Sequence, residues 1–81
     1  MTGKEFYLIK DLSFLTDLSV HTIRYYIKLG LIKEAGRTPA TNFKYFDNSA
    51  LEDLKKIIKL KENNFSLEKI AHILKSKGRD L

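Results

Sequence analysis

The sequence predicts a mainly α domain of about four helices, with a small two-stranded β-hairpin between the second and third helices. Apolar residues recur at helical spacing on both sides of residues 36–42, a stretch that contains the only proline, Pro39. Two short β-prone runs, at residues 31–32 and 43–46, border that stretch. A chain of 81 residues supports one thin core, so we expect a single domain over residues 1–81.

The charge balance favours an anionic partner. Lys and Arg number 15 against 10 Asp and Glu, which gives a formal net charge of +5. Such an excess suits nucleic acid or an acidic membrane surface, although a small basic domain also gains solubility from it. Charge alone therefore leaves both interpretations open.

Several function classes lack their residues in this sequence. There is no cysteine, and the sequence contains no Gly-rich phosphate loop, metal-ligand cluster or paired catalytic carboxylate motif. We therefore expect no enzyme, no metal site and no cofactor. Because no apolar run reaches the roughly 18 residues of a membrane span and the start lacks a signal peptide, we expect a cytoplasmic protein without membrane contact.

Two short helices are expected over residues 9–29. The inward stripe of the first helix is formed by Ile9, Leu12 and Leu15. Asp17 tolerates turn geometry, Ser19 is a good N-cap for the second helix, and Gly30 supplies its end. Two helices joined by a three-residue turn are typical of a helix-turn-helix, although any small helical hairpin has the same spacing.

A β-hairpin wing is expected over residues 31–46. Two short strands would flank a polar loop that contains glycine and proline. On the second strand we expect Phe43 and Phe46 to pack inward and Tyr45 to be exposed.

The third and fourth helices are expected over residues 48–62 and 66–77. Asp47 is a suitable N-cap for the third helix and Ser66 for the fourth. Their inner stripes at helical spacing are Leu51, Leu54, Ile57, Ile58 and the stem of Lys61 in the third, and Leu67, Ile70, Ala71 and Leu74 in the fourth.

Five short segments carry motifs in order: Tyr7-x-Ile9, Ser19 to Tyr26 (SVHTIRYY), Gly30-Leu31-Ile32, Phe43 to Phe46 (FKYF) and Asn64 to Ile70 (NFSLEKI). Over roughly residues 6–75 they resemble the N-terminal winged helix-turn-helix DNA-binding domain of the MerR family of bacterial transcription regulators. Asp17 and Asn64 stand where the family often has glycine, and Phe and Lys replace Tyr and Arg in the wing. The lysine, Lys44, would weaken a bidentate phosphate contact.

Nine residues are the candidate DNA contacts: Ser19, His21, Thr22, Arg24, Tyr25 and Lys28 on the second helix, and Arg37, Lys44 and Tyr45 in the wing. The resemblance implies that Thr22, Arg24 and Tyr25 reach DNA. A guanidinium can bind guanine or phosphate in a bidentate manner, and hydroxyls can donate to phosphate oxygens. The alternative for Arg24 is an ion pair with Asp11 or Asp17.

The resemblance implies a promoter-type operator in double-stranded DNA as the partner, together with RNA polymerase and a homodimer formed through a segment absent from this chain. Family members usually continue into a dimerisation helix and a sensing domain, so the chain is either a DNA-binding part or a small stand-alone member. Two other functions stay open. One is an excisionase-like architectural DNA-binding protein, and the other is a helical protein-interaction module with Phe14, Phe65 and Ile73 as its contact patch.

Overall fold

A computed structural model of the chain describes residues 6–79 and the side chains up to Lys75. Residues 1–5 and 80–81, which the expected domain also includes, lie outside the described part. The elements in chain order are β1 (Tyr7–Leu8), α1 (Ile9–Thr16), α2 (Val20–Lys28), β2 (Gly36–Arg37), β3 (Lys44–Phe46), α3 (Asn48–Glu62) and α4 (Leu67–Arg79). The predicted mainly α fold, with four helices and a β-hairpin between α2 and α3, is confirmed.

The sheet has three strands rather than the expected two. The first strand of the hairpin is Gly36–Arg37, inside the expected loop, and not residues 31–32, which lie buried in the core outside any strand. Strand β1 pairs antiparallel with β3, with Tyr7 opposite Phe46 and Leu8 opposite Tyr45, and the strand order is β1-β3-β2. The extra strand is only two residues long and its partner is distant in sequence, so no local pattern indicates it. Its consequence is that the wing is joined to the start of α1.

The turn between α1 and α2 is closed by short-range hydrogen bonds. Asp17 adopts a left-handed conformation (φ 66°) and donates its backbone N–H to the carbonyl of Ser13 at 2.8 Å. The Ser13 hydroxyl donates to the carbonyl of Leu18 at 2.6 Å. Ser19 then caps α2, since its Oγ accepts the N–H of Thr22 at 3.0 Å. These bonds fix where α2 begins and so where its exposed face points.

The other helix ends also carry suitable residues. Asp47 caps α3 by accepting the backbone N–H groups two and three positions ahead, at 3.1 and 3.4 Å. Ser66 caps α4 by accepting the N–H of Lys69 at 3.2 Å. Gly30 after α2 and Asn64 after α3 both have positive φ, 81° and 65°. Asn64 thus serves at a helix end where glycine is more common.

The core lies where α1, α2, α3 and the sheet meet, with α4 covering one side. Among the described residues no polar or charged side chain is buried. The buried residues are Leu12, Ile23, Tyr26, Leu31, Ile32, Phe46, Ala50, Leu51, Leu54, Ile57 and Ile70. In the part of the chain that the structure describes, no helix is long and apolar enough to cross a bilayer.

Two residues expected in the core are exposed. Leu15 is 51% exposed because steps of three residues drift by about 60° each around a helix, so the position six after Ile9 leaves the buried face. Phe43 is 57% exposed. It lies three positions before Phe46, which is fully buried, and the two-residue period of a strand directs such a pair to opposite sides. Only Phe46 packs inward as predicted.

Candidate nucleic-acid interface

Helix α2 buries one side and exposes the other. Ile23 is fully buried and Tyr26 is 6% exposed, so both face the core. Positions at intervals of three, four and seven share a helix face. The exposed candidate residues with this spacing are His21, Arg24, Tyr25 and Lys28. A guanidinium, an ammonium group, an imidazole and a phenol therefore share the outward face of α2.

Ser19 and Thr22 are joined by two hydrogen bonds at the start of α2. The Ser19 Oγ accepts the backbone N–H of Thr22 at 3.0 Å and its O–H donates to the Thr22 hydroxyl oxygen at 2.9 Å. Since the Thr22 oxygen accepts this bond, its own proton is left to point away from Ser19. Ser19 is therefore engaged as a cap that orients Thr22, and Thr22 keeps a free donor.

Arg24 has no ion pair within 4.0 Å with any of the side chains that the structure describes, from residue 6 to residue 75. Asp11 accepts the backbone N–H of Leu8 at 2.8 Å, and Asp17 forms the left-handed end of α1. The alternative that Arg24 pairs with one of these carboxylates is wrong. Its guanidinium is exposed and open to an external acceptor.

The two neighbouring tyrosines of α2 differ in environment. Tyr25 is 49% exposed, and its ring centroid lies 6.2 Å from that of Tyr26. Burial raises the pKa of the Tyr26 phenol above its usual value of 10.0, and the charge of Tyr25 adds to the effect. Tyr26 is thus a core residue, and Tyr25 is the one that faces outward.

An open groove separates α2 from the wing. Its volume is about 720 Å³, and its walls come from the start of α1, from α2 and from the wing. It is lined by Leu8, Ile9, Lys10, Arg24, Ile27, Lys28, Asn42, Phe43 and Lys44. Every ionisable lining residue is a cation, while the remaining lining is largely apolar. Lys10 and Phe43 were not among the candidate residues, and no sequence motif connects them with α2.

The wing cations lie opposite each other. Arg37 on β2 and Lys44 on β3 are register partners. Glu34 contacts both, with Arg37 Nε at 3.0 Å and Lys44 Nζ at 4.0 Å from its two carboxylate oxygens. Glu34 belongs to none of the sequence motifs.

Tyr45 is half-buried rather than exposed. Its ring meets that of Phe6 edge to face, with centroids 5.1 Å apart. It also covers Gly36, where an added Cβ would lie 2.6 Å from the Tyr45 hydroxyl oxygen. The expectation that Tyr45 is exposed is wrong, because β1 brings Phe6 against it.

The expected protein-interaction patch is not continuous. Phe14 is 86% exposed, but Phe65 is half-buried and packs against the core. Among the described residues, no cluster of three or more His, Cys, Asp or Glu could hold a metal ion.

A helix-turn-helix whose second helix is exposed and basic, beside a β-hairpin that also carries cations, defines a winged helix-turn-helix protein. The chain matches the model of the MerR HTH family of regulatory proteins over residues 7–77, and it belongs to that family. It is 32% identical over 74 residues to the HTH-type transcriptional regulator CueR of Bacillus subtilis (strain 168), a match that covers 91% of this chain and 50% of CueR.

Two solved structures share the fold. One is a MerR-family transcriptional regulator from Bacillus cereus, with a TM-score of 0.83, 28% identity, and coverage of 95% of this chain and 55% of that one. The other is HiNmlR, a MerR family regulator lacking the sensor domain, bound to promoter DNA, with a TM-score of 0.83 and 23% identity over 95% of this chain and 58% of that one. The chain spans about half the length of CueR and little more of these structures.

Proposed function

We propose that the chain binds double-stranded DNA in a sequence-specific manner, as the DNA-binding domain of a MerR-like transcriptional regulator. One observation carries this proposal: the exposed face of α2 and the wing border a groove whose ionisable lining residues are all cations. Phosphate neutralisation by such cations supplies most of the affinity of a duplex-binding protein. Membership of a family of regulatory proteins supports the same conclusion.

In this proposal α2 lies in the major groove with its N-terminal half toward the base edges. Arg24 binds guanine or a phosphate in a bidentate manner. Thr22 and Tyr25 donate hydroxyls to phosphate oxygens, and the exposed His21 reaches a base edge. Lys28, one turn further on, contacts the backbone. The capping bond from Ser19 orients Thr22 for its contact.

The wing contacts the flanking backbone through Arg37 and Lys44. Both side chains are more than two-fifths exposed, at 45% and 42%. Tyr45 supports the wing from behind by packing on Phe6, and Lys10 adds a cation from the start of α1 to the same groove. The proposed DNA contacts therefore come from three separate parts of the fold: α1, α2 and the wing.

In the whole protein we propose a homodimer formed through a segment outside these 81 residues, acting at a promoter with RNA polymerase in the cytoplasm. CueR and the Bacillus cereus regulator are both longer than the part that matches this chain, which leaves room for such a segment. A single domain contacts one half-site, so its affinity is expected to be weak and steeply salt-dependent.

The experiment is in-vitro selection of duplex DNA by this chain at low salt, followed by anisotropy titrations of the enriched sequences across salt concentrations. An enriched motif with a steep salt dependence supports the proposal, and an inverted repeat supports dimeric use. Tight binding without a motif supports the architectural alternative. Failure to bind any duplex at low salt, with the fold intact by circular dichroism, contradicts the proposal and favours a protein-interaction module.

A further inference from the structure

Glu34 lies between the two wing cations. Its Oε2 accepts from Arg37 Nε at 3.0 Å and its Oε1 lies 4.0 Å from Lys44 Nζ. The adjacent Ala35 donates its backbone N–H to the carbonyl of Tyr45 at 2.8 Å, which holds this segment beside β3. The Glu34 carboxylate, held in place by the neighbouring backbone hydrogen bond, thus forms ion pairs with both cations.

The pairing of the strands explains why an anion is favoured at this position. Arg37 and Lys44 are directly opposite on antiparallel strands, where like charges destabilise the sheet. The carboxylate of Glu34 offsets that repulsion. At 31% exposure its side chain is less accessible to solvent than either cation, so its charge is screened less than theirs.

The arrangement has the geometry of a phosphate site already filled by an anion. A phosphodiester carries one negative charge on two oxygens, and a carboxylate carries the same charge on two oxygens. Glu34 accepts a hydrogen bond from Arg37 through the Nε–H only. Its distance to the Lys44 ammonium, 4.0 Å, is at the limit for an ion pair. A phosphate that bound both cations would have to share them with Glu34 or replace it.

We infer that Glu34 is an internal competitor for the DNA backbone, and that the wing binds DNA by exchanging this carboxylate for a phosphodiester. The inference rests on the proposed DNA binding and names a residue that limits its strength. Exchange costs the protein its Glu34 contacts and leaves a carboxylate near the incoming phosphate. Glu34 therefore lowers the affinity for every duplex, independently of base sequence.

The test compares Glu34→Gln with wild type and with Glu52→Gln, using a fluorescein-labelled duplex of random sequence at low salt. Glutamine keeps the size of the side chain and an oxygen acceptor for Arg37 but removes the charge. Glu52→Gln makes the same change in net charge at a site outside the groove. Glu52 lies on α3, 3.9 Å from Lys55, and its side chain is 65% exposed. We expect Glu34→Gln to tighten binding by roughly three- to tenfold more than Glu52→Gln.

A second comparison locates the effect. In a protein that carries Arg37→Ala and Lys44→Ala, Glu34→Gln should tighten binding no more than Glu52→Gln does, because the cations that it releases are gone. An excess over Glu52→Gln that persists in this background does not depend on the two wing cations and overturns the inference. In the wild-type background, a gain no larger than that of Glu52→Gln reflects net charge alone and also overturns it. Weaker binding by Glu34→Gln also overturns it, since Glu34 would then orient the cations instead of competing.

These outcomes separate the inference from the proposed function. If wild type binds the duplex and Arg24→Ala weakens binding while Glu34→Gln changes nothing, DNA binding stands and the competitor role fails. If neither wild type nor Glu34→Gln binds at low salt, both fail. Thermal melting by circular dichroism before each titration confirms that the compared proteins are folded.

Discussion

Arg24 and Arg37 differ in what surrounds their guanidinium groups. Arg37 donates its Nε–H to Glu34, whereas Arg24 on the exposed face of α2 has no carboxylate within ion-pair distance among residues 6–75. An arginine without an internal ion pair has no such pair to break when an external acceptor binds. At the scale of single residues, Arg24 is therefore the strongest candidate contact.

We expect Arg24→Ala to weaken duplex binding by about 1–3 kcal/mol, the usual contribution of one bidentate arginine contact. Its exposed side chain makes no ion pair with the described residues, so the melting temperature should stay close to that of wild type. Anisotropy titration and circular dichroism measure the two quantities. Lys69→Ala, an exposed change on α4, is the matched control, and equal affinities for both variants would remove Arg24 from the interface.

Tyr26 links stability to pH. Burial raises the pKa of its phenol, so above pH 10 the folded chain keeps a proton that the unfolded chain releases. The stabilisation from protonated Tyr26 is complete below pH 10 and is lost as the pH rises above it. We expect Tyr26→Phe to show a shallower loss of unfolding free energy in urea melts across this range. If the unfolding free energy falls equally in the variant and in wild type, Tyr26 is not the group that links stability to pH.

At the scale of elements, the helices were predictable because their ends are fixed by nearby residues. Ser19 and Asp47 accept backbone N–H groups only two or three positions ahead. Asp17 was expected to tolerate turn geometry and is left-handed at the end of α1. Such hydrogen bonds depend on a few consecutive residues, so the sequence alone is enough to predict where these helices begin and end.

The features that sequence did not predict depend on distant parts of the chain. Strand β1 exists only because β3 is beside it, and Tyr45 is covered because β1 delivers Phe6. The groove likewise combines α1, α2 and the wing, which is why Lys10 was not among the candidate residues and Phe43 was expected in the core. The outward face of α2 was predictable from helical period, whereas the composition of the groove was not.

The wing should contribute to DNA binding mainly through charge. We expect Arg37→Ala and Lys44→Ala each to reduce the slope of log affinity against log salt by about one unit, since each removes one phosphate contact. Titrations from low to moderate salt measure the slope, with Lys69→Ala as the control. A slope that stays at the wild-type value in both variants would exclude the wing from the interface.

On the scale of the whole molecule, α4 contributes to the same core as the helix-turn-helix. Ile70 is fully buried, and Leu67, Ala71 and Leu74 pack partly against the core. CueR and the two solved regulators are longer than this chain, and a helix at this position could instead have been an exposed surface for another segment. The packing of Ile70 makes α4 a structural part of the domain.

We expect Ile70→Ala to cost about 2–5 kcal/mol of unfolding free energy, which is a large part of the roughly 5–15 kcal/mol available to a small domain. Leu74→Ala should cost less, because Leu74 is only half-buried. Urea denaturation of both variants measures the costs. A cost near zero for Ile70→Ala would mean that α4 does not pack on the core in solution.

The pairing of β1 with β3 also has a kinetic consequence. Contacts between α1 and α2 are local in sequence, whereas the sheet pairs Tyr7 with Phe46 and so closes a long loop. Because closing a long loop costs more entropy, the sheet should form after the two helices and open before them. We expect the backbone amide of Ala35, bonded to Tyr45, to exchange with deuterium faster than that of the buried Ile23 in α2, as NMR would measure. Helix α2 would then stay formed while the wing opens and closes, so DNA could bind α2 first and the wing afterwards.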